Sequence, residues 1–241
     1  AGNDWIDGST GVDWLSYASA AAGVSVNFFL QHSWQDTIGA GVDYVGNFEN
    51  LEGSEFDDTL LGDDATNEIN GLGGNDVIQG RGGDDTLDGG DGDDQVQGQA
   101  GNDTIIGGAG NDVLRGENNF FAGVGGNDTL VAGAGDDYMN GGGGVDSFDG
   151  GAGNDRVSFY AAAATQGVIA NLITQTIAND GFGNAETMTS VEGLGAGTAY
   201  ADHLTGDANA NLILADIGDT IIANGGDDSF QLGGGPALLD G

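Results

Sequence analysis

The sequence predicts an all-β solenoid of short strands, and three observations carry that prediction. A nine-residue pattern repeats in phase over most of the chain. Glycine, the residue of tight turns, occurs 50 times in 241 residues. One apolar residue in each nine follows an aspartate by two places and alternates with outward-pointing neighbours, as a strand with one buried face requires.

The repeat is clearest from Gly71, where GLGGNDVIQ, GRGGDDTLD, GGDGDDQVQ, GQAGNDTII and GGAGNDVLR run without a break to Arg115. Weaker copies precede it from Gly53 and Gly62. A seven-residue insertion, 116–122 (GENNFFA), interrupts the count, and the phase resumes at Gly123 and runs to Ser158. Fragments of the same pattern open the chain at 1–16 and reappear, degraded, at 206–241. The element Gly-x-Asp occurs twelve times in phase.

Each place in the nonad has a physical task. Glycines at the first, second and fourth places are expected to supply the positive φ of a tight turn. The sixth place carries a carboxylate. The eighth is aliphatic or aromatic (Ile78, Leu87, Val96, Ile105, Leu114), which gives a strand of about three residues with its middle side chain inward. A nonad is thus a glycine turn followed by a very short strand. Burial of one apolar side chain does not offset the entropy of ordering nine residues, so such a chain needs a further source of stability.

Charge points to where that source lies. The chain has 39 acidic and 3 basic residues, a net charge of -36. That balance excludes nucleic acid and anionic membrane as direct partners, because both need positive surface. Two carboxylates about 4 Å apart repel by roughly 1 kcal/mol in water and by several times more where solvent is excluded. With three arginines and no lysine to pair them, the counter-charge must come from outside the chain. Cysteine is absent, which leaves no disulfide framework or thiolate site. No run of about 18 apolar residues exists to cross a membrane.

The nonads match the pattern G-G-x-G-x-D-x-U-x, and in this the chain resembles the haemolysin-type (RTX) calcium-binding family of secreted bacterial proteins. The resemblance implies a parallel β-roll with two nonads per coil and calcium in the turns between coils. It implies ligand pairs two repeats apart: Asp76 with Asp94, Asp85 with Asp103, Asp94 with Asp112, Asp128 with Asp146, and Asp137 with Asp155. Asp4, Asp13, Asp58, Asp219 and Asp228 hold the equivalent place in the outlying copies. Turn carbonyls would complete an all-oxygen shell, and sharing between coils gives about six to ten ions. Asn67 and Asn211 replace the aspartate, and Phe56 and Ala65 the fourth-place glycine, so weak or absent binding is expected at 53–70 and after 206. The resemblance further implies a secreted, extracellular or cell-surface location, export unfolded through a one-step channel, and folding on calcium outside.

Two segments, 17–52 and 159–205, lack the nonad yet resemble each other: GVSVNF from Gly23 parallels GVIANL from Gly167, and FENLEGS from Phe48 parallels VEGLGAG from Val191. They are expected to continue the solenoid as wider coils, one on each side of a main block at 53–158. Trp14, Tyr17, Phe28, Phe29 and Trp34 read as packing residues, with a carbohydrate-binding patch as the alternative; Phe120 and Phe121 read as packing over the roll. Ala1 enters at the third place of a nonad and Gly241 at the first, as expected of a segment from a longer protein, monomeric by itself.

No catalytic constellation is visible. His32 and His203 sit in no zinc-site spacing, and acidic pairs are too common to signal glycosidase chemistry. The third place (Gly73, Gly82, Asp91, Ala100, Ala109) lacks the threonine file of an ice-binding face. The segment reads as a non-catalytic extender of a surface protein such as an adhesin, or as a folding module appended to a secreted enzyme.

Overall fold

The computed structural model describes residues 2–37, 40–117, 125–159 and 164–233, together with the backbone of 238–240. Phe120 and Phe121 lie outside the described residues. Successive nonads alternate between two sheets, so the chain winds as a roll. Among the described residues one sheet has 13 strands and the other 10, and the nonad strands within each are parallel. The chain is all-β, with one turn of 3-10 helix, Phe28–Leu30, among the described residues.

Register follows from the repeat. Thr86 pairs with Thr104 in one sheet and Val77 with Gln95 in the other, so partners stand two nonads apart. Across the insertion, Thr104 pairs with Thr129 and Val113 with Tyr138. The stacking of coils continues in register across the insertion. The first-place position of the interrupted nonad is taken by Gly116, whose N–H donates to Asn140 O just as that of Gly71 donates to Asp88 O.

The core is the column of eighth-place side chains. Leu60, Ile78, Leu87, Ile105, Leu114, Leu130, Met139 and Val157 are fully buried. Because each stacks on the residue two repeats away, the column is continuous from Leu15 to Ile221.

Both spacers continue the roll and add antiparallel strands to it. In the first, Asn50–Glu52 lies between Trp14–Ser16 and Glu68–Asn70, while Ser33–Asp36 and Val42–Gly46 pair antiparallel in a separate three-stranded sheet with Trp5–Asp7. In the second, the hairpin Ile169–Asn171 and Thr176–Asn179 enters the 13-stranded sheet, and Gly193–Gly195 carries the other sheet onward. Val24, Val26, Phe28 and Val168, Ala170, Leu172 are all buried, Val26 and Ala170 at the centres of strands and Phe28 at the start of the 3-10 turn.

The aromatic expectation holds only in part. Tyr17 and Phe28 are buried, whereas Trp14, Phe29 and Trp34 are exposed. Trp34 packs edge-on to Tyr44, which stacks flat on exposed Trp5, and Phe29 lies under the Arg81 guanidinium. Trp34 stands on the narrow sheet, Phe29 on the 3-10 turn before it, and Trp14 at an exposed position of a strand in the 13-stranded sheet.

Truncating one core rung tests this account. Ile105→Ala, with Leu87 and Leu130 on either side in register, should destabilise the calcium-loaded chain by about 2–5 kcal/mol. Thr104→Ala on the outer face should change it by less than about 0.5 kcal/mol in the same denaturant titration.

Candidate metal centre

The turns explain why glycine recurs, with one revision. Fourth-place glycines have φ between the strand and turn regions that only glycine tolerates, such as +143° at Gly92 and +133° at Gly110. A Cβ at either would also collide with the fourth-place carbonyl two repeats earlier, Gly74 O or Gly92 O. Second-place residues also have positive φ, yet Leu72, Arg81 and Gln99 adopt it without being glycine. First-place glycines are different. Gly71, Gly80, Gly89, Gly98 and Gly107 are not among the positive-φ residues. They are small because a Cβ there would strike Oδ2 of the aspartate five places on. Ala132 is the exception within the main block.

That aspartate is the centre of each turn. In every well-formed nonad the sixth-place side chain turns inward and is almost completely buried. Its Oδ1 accepts the N–H of the sixth-place residue of the preceding coil. The bonds are 2.8 Å from Asp76 N to Asp94, 2.9 Å from Asp85 N to Asp103, and 2.9 Å from Asp94 N to Asp112. They are 2.9 Å from Asp128 N to Asp146 and 3.0 Å from Asp137 N to Asp155. These are the pairs that the nonad register brings together. The insertion does not break the line: Asp103 N donates to Asp128 and Asp112 N to Asp137.

The second oxygen is the informative atom. Oδ2 of Asp13, Asp76, Asp85, Asp94, Asp103, Asp112, Asp128, Asp137, Asp146 and Asp155 is buried and has no hydrogen-bond partner. Neither an ionised nor a protonated carboxyl is satisfied there by the protein alone, and buried unsatisfied polar atoms are rare because each is costly. The three guanidinium groups are elsewhere, Arg81 over Phe29 and both Arg115 and Arg156 over Tyr138. A hard divalent cation is the group that fits a file of buried carboxylate oxygens next to turn carbonyls. Among the described residues no three His, Cys, Asp or Glu side chains gather as a metal cage. Each ion would therefore be held by one or two carboxylates, with backbone oxygens for the rest.

Apart from Asp13, the outlying aspartates behave differently. Asp58 accepts from Ser54 N and Ser54 Oγ as well as from Val24 N, so both its oxygens are satisfied. Asp219 accepts from Asp202 N and Asp216 N. Asp228 accepts from Asn211 N, and Asp4 is exposed. Asn67 and Asn211 close their own turns, accepting from Asp63 N and Asp207 N and donating to Glu49 O and Glu192 O.

Four glutamates were not foreseen. Glu49 Oε2 accepts from Asp13 N and Glu192 Oε2 from Asp155 N, so each carries the aspartate line across a spacer. Glu186 stands in the same way beside Asp146 and keeps one buried oxygen without a partner, as do Glu117 and Asp202. The matched positions of Glu49 and Glu192 in the duplicated spacers were the available signal. Also missed was a ladder of exposed fifth-place residues: Asn75 accepts from Asp93 N, and Asp93 from Asn111 N.

Burial raises these acids far above the usual carboxylate range. Asp76, Asp85 and Asp112 are pushed up to about 7, Asp94, Asp103 and Asp155 to about 6, and Asp128 to about 8. Burial raises Asp137, Asp146 and Asp202 as well. In the folded state the proton is thus bound more tightly than in the unfolded chain. Stability from this source is complete below the unfolded value of about 3.9 and is lost as pH rises through about 6 to 8. The metal-free chain should accordingly gain β-sheet ellipticity as pH falls from 8 to 5 in excess chelator. A flat circular dichroism signal over that range would show that the buried carboxylates do not control folding.

A protein-family comparison agrees with this geometry. The model described as the RTX calcium-binding nonapeptide repeat (four copies) matches residues 1–19, 46–78, 61–96, 88–119, 122–157 and 196–219, together well over half of the chain. No curated protein matches it. The chain belongs to the RTX calcium-binding nonapeptide repeat family.

Proposed function

We propose that this segment is a calcium-triggered structural extender of a larger extracellular or surface protein, such as an adhesin. The observation that carries the reading is the file of ten inward-turned aspartates, each with one buried oxygen that the chain itself does not satisfy. Asp76, Asp94, Asp112, Asp137 and Asp155 form one line of turns and Asp85, Asp103, Asp128 and Asp146 the other. An ion between successive members of each line agrees with the expected number of about six to ten. Asp13 and Asp202 mark the places where the lines continue beyond the main block.

Calcium would then do two things. It supplies the positive charge that three arginines cannot, and it joins each coil to the next. Binding free energy becomes folding free energy, so the chain is disordered where calcium is scarce and rigid where it is plentiful. Calcium sites of this class range from micromolar to millimolar affinity, which matches export in an unfolded state followed by folding outside the cell. Two spacers that continue the core, in place of one uninterrupted block, favour an extender over an enzyme appendage. His32 bonds to Asn47 and His203 lies exposed on a strand, which fits a non-catalytic segment.

At pH 7.5 the chain should be disordered in excess chelator and become β-rich on addition of millimolar calcium, reversibly. An equally β-rich spectrum in chelator would overturn the reading.

A second reading has its own observation. Trp5 and Tyr44 stack with ring centroids 3.7 Å apart, and Trp5 and Trp34 are 64% and 55% exposed. Flat exposed rings of this kind can stack on sugar faces. On a glycan array the calcium-loaded segment should bind, and Trp5→Ala and Trp34→Ala should each weaken that binding about tenfold, within the range of a buried aromatic contact; no bound glycan, or none affected by these changes, excludes it.

A further inference from the structure

We infer that Glu117, which lies outside the nonad pattern, supplies a side-chain oxygen to a divalent cation held in the turn between the coils of Asp128 and Asp146. This rests on the calcium reading above and assigns one site a ligand that the repeat does not provide. Glu117 follows Gly116 directly, at the point where the insertion begins. It is only 8% exposed. Its Oε2 accepts the N–H of Gly143 at 2.6 Å, and its Oε1 is buried without a hydrogen-bond partner.

The surroundings are arranged to admit this side chain. A Cβ at Gly125 would collide with Oε1 and a Cβ at Gly142 with Oε2, and Gly142 has φ +100°. The charges nearest it are all negative: Asp146 and Asp103 act on Glu117, and Glu117 acts on Asp128. Asp128 and Asp146 each present their own buried, unpartnered Oδ2 in these turns. None of the three guanidinium groups is available, since each lies over an aromatic ring.

Two explanations compete for a buried glutamate. As for a neutral acid, the groups that reach its carboxyl are backbone N–H donors, Gly143 at Oε2 and Gly126 beside it, so a proton on Oε1 would have no acceptor. As an anion among anions it needs a cation, and two aspartates with free oxygens in adjoining turns are where a cation is already called for. Gly142 leaves room for the Glu117 carboxylate, and Gly125 for that carboxylate and for the Gly143 carbonyl.

The consequence is a site unlike the others. Most ions on the roll would have aspartate and backbone oxygens alone. Here an additional carboxylate, of longer reach, comes from the interrupted turn, and ligand charge count is one of the quantities that sets calcium affinity. The insertion would then strengthen the roll at the place where it breaks the repeat.

The test compares full-length wild type with Glu117→Gln by calcium calorimetry and by the number of bound ions in native mass spectrometry. Expected is the loss of one ion, or one class of site weakened about tenfold or more, with the other sites unchanged. Equal counts and affinities in E117Q, with a wild type that binds calcium, overturn this assignment alone. A wild type that binds no calcium overturns the calcium reading along with it. A calcium-loaded crystal structure of the wild type decides the matter without a variant: a cation within about 2.3–2.6 Å of Oε1 supports the assignment. A cation held in that turn by Asp128 and backbone only, with Oε1 turned away, overturns it.

Discussion

Everything in this roll depends on burying one carboxylate in nearly every turn without a basic residue to meet it. That constraint accounts for features that otherwise look unrelated. The first-place glycine is there because a methyl group would strike the aspartate. The fourth-place glycine lets the coil pass close over the carbonyl below it, which keeps turn oxygens beside the carboxylates. One oxygen of each aspartate is fixed by an N–H of the preceding coil, so the other is held in place rather than free to swing into solvent. The hydrophobic column is thin, one side chain per strand, and it sets the register. One buried side chain per strand is a small return for ordering nine residues in a chain of net charge -36.

The satisfied aspartates clarify the unsatisfied ones. Asp58 occupies the same place in its nonad as Asp76, and its N–H bonds to Asp76 just as that of Asp76 bonds to Asp94. The difference is Ser54 at the second place, whose N–H and hydroxyl bind the Asp58 carboxylate and complete it. Asn67 reaches the same end by neutrality, its amide donating to Glu49 O. The roll therefore contains turns that close on protein groups alone, next to turns that cannot. That contrast within one fold makes the buried oxygens evidence of a ligand and not a property of the coil geometry in general.

Much of this was legible from residue order. The nine-residue phase gave the solenoid, the eighth place gave the core, and the aspartate pairs two repeats apart are the pairs that bond. What escaped the sequence depends on where distant segments return. Glu49 and Glu192 act as ladder members only because each spacer brings its glutamate back to the coil it left, 36 and 37 residues later. Of the antiparallel strands within the spacers, Ile169–Asn171 falls on a visible alternation, while Ser33–Asp36 and Thr176–Asn179 have no such mark. Trp14 and Trp34 stand at outward strand positions and Phe29 on a 3-10 turn, and apolar character alone does not report that. Ser54 was visible, but its role as donor to Asp58 required the turn itself.

The insertion shows how far a repeat can be altered without losing its line. The strands before and after the insertion are fixed by partners in the neighbouring coils, and Gly116 and Glu117, where the repeat is interrupted, are buried. Pairing then resumes with Thr129 beside Thr104 and Asp128 beside Asp103, so the core column and the carboxylate file both pass through the interruption. The carboxylate file asks only for oxygens at the right place, whichever residue supplies them, and so it survives a change in the number of residues between coils.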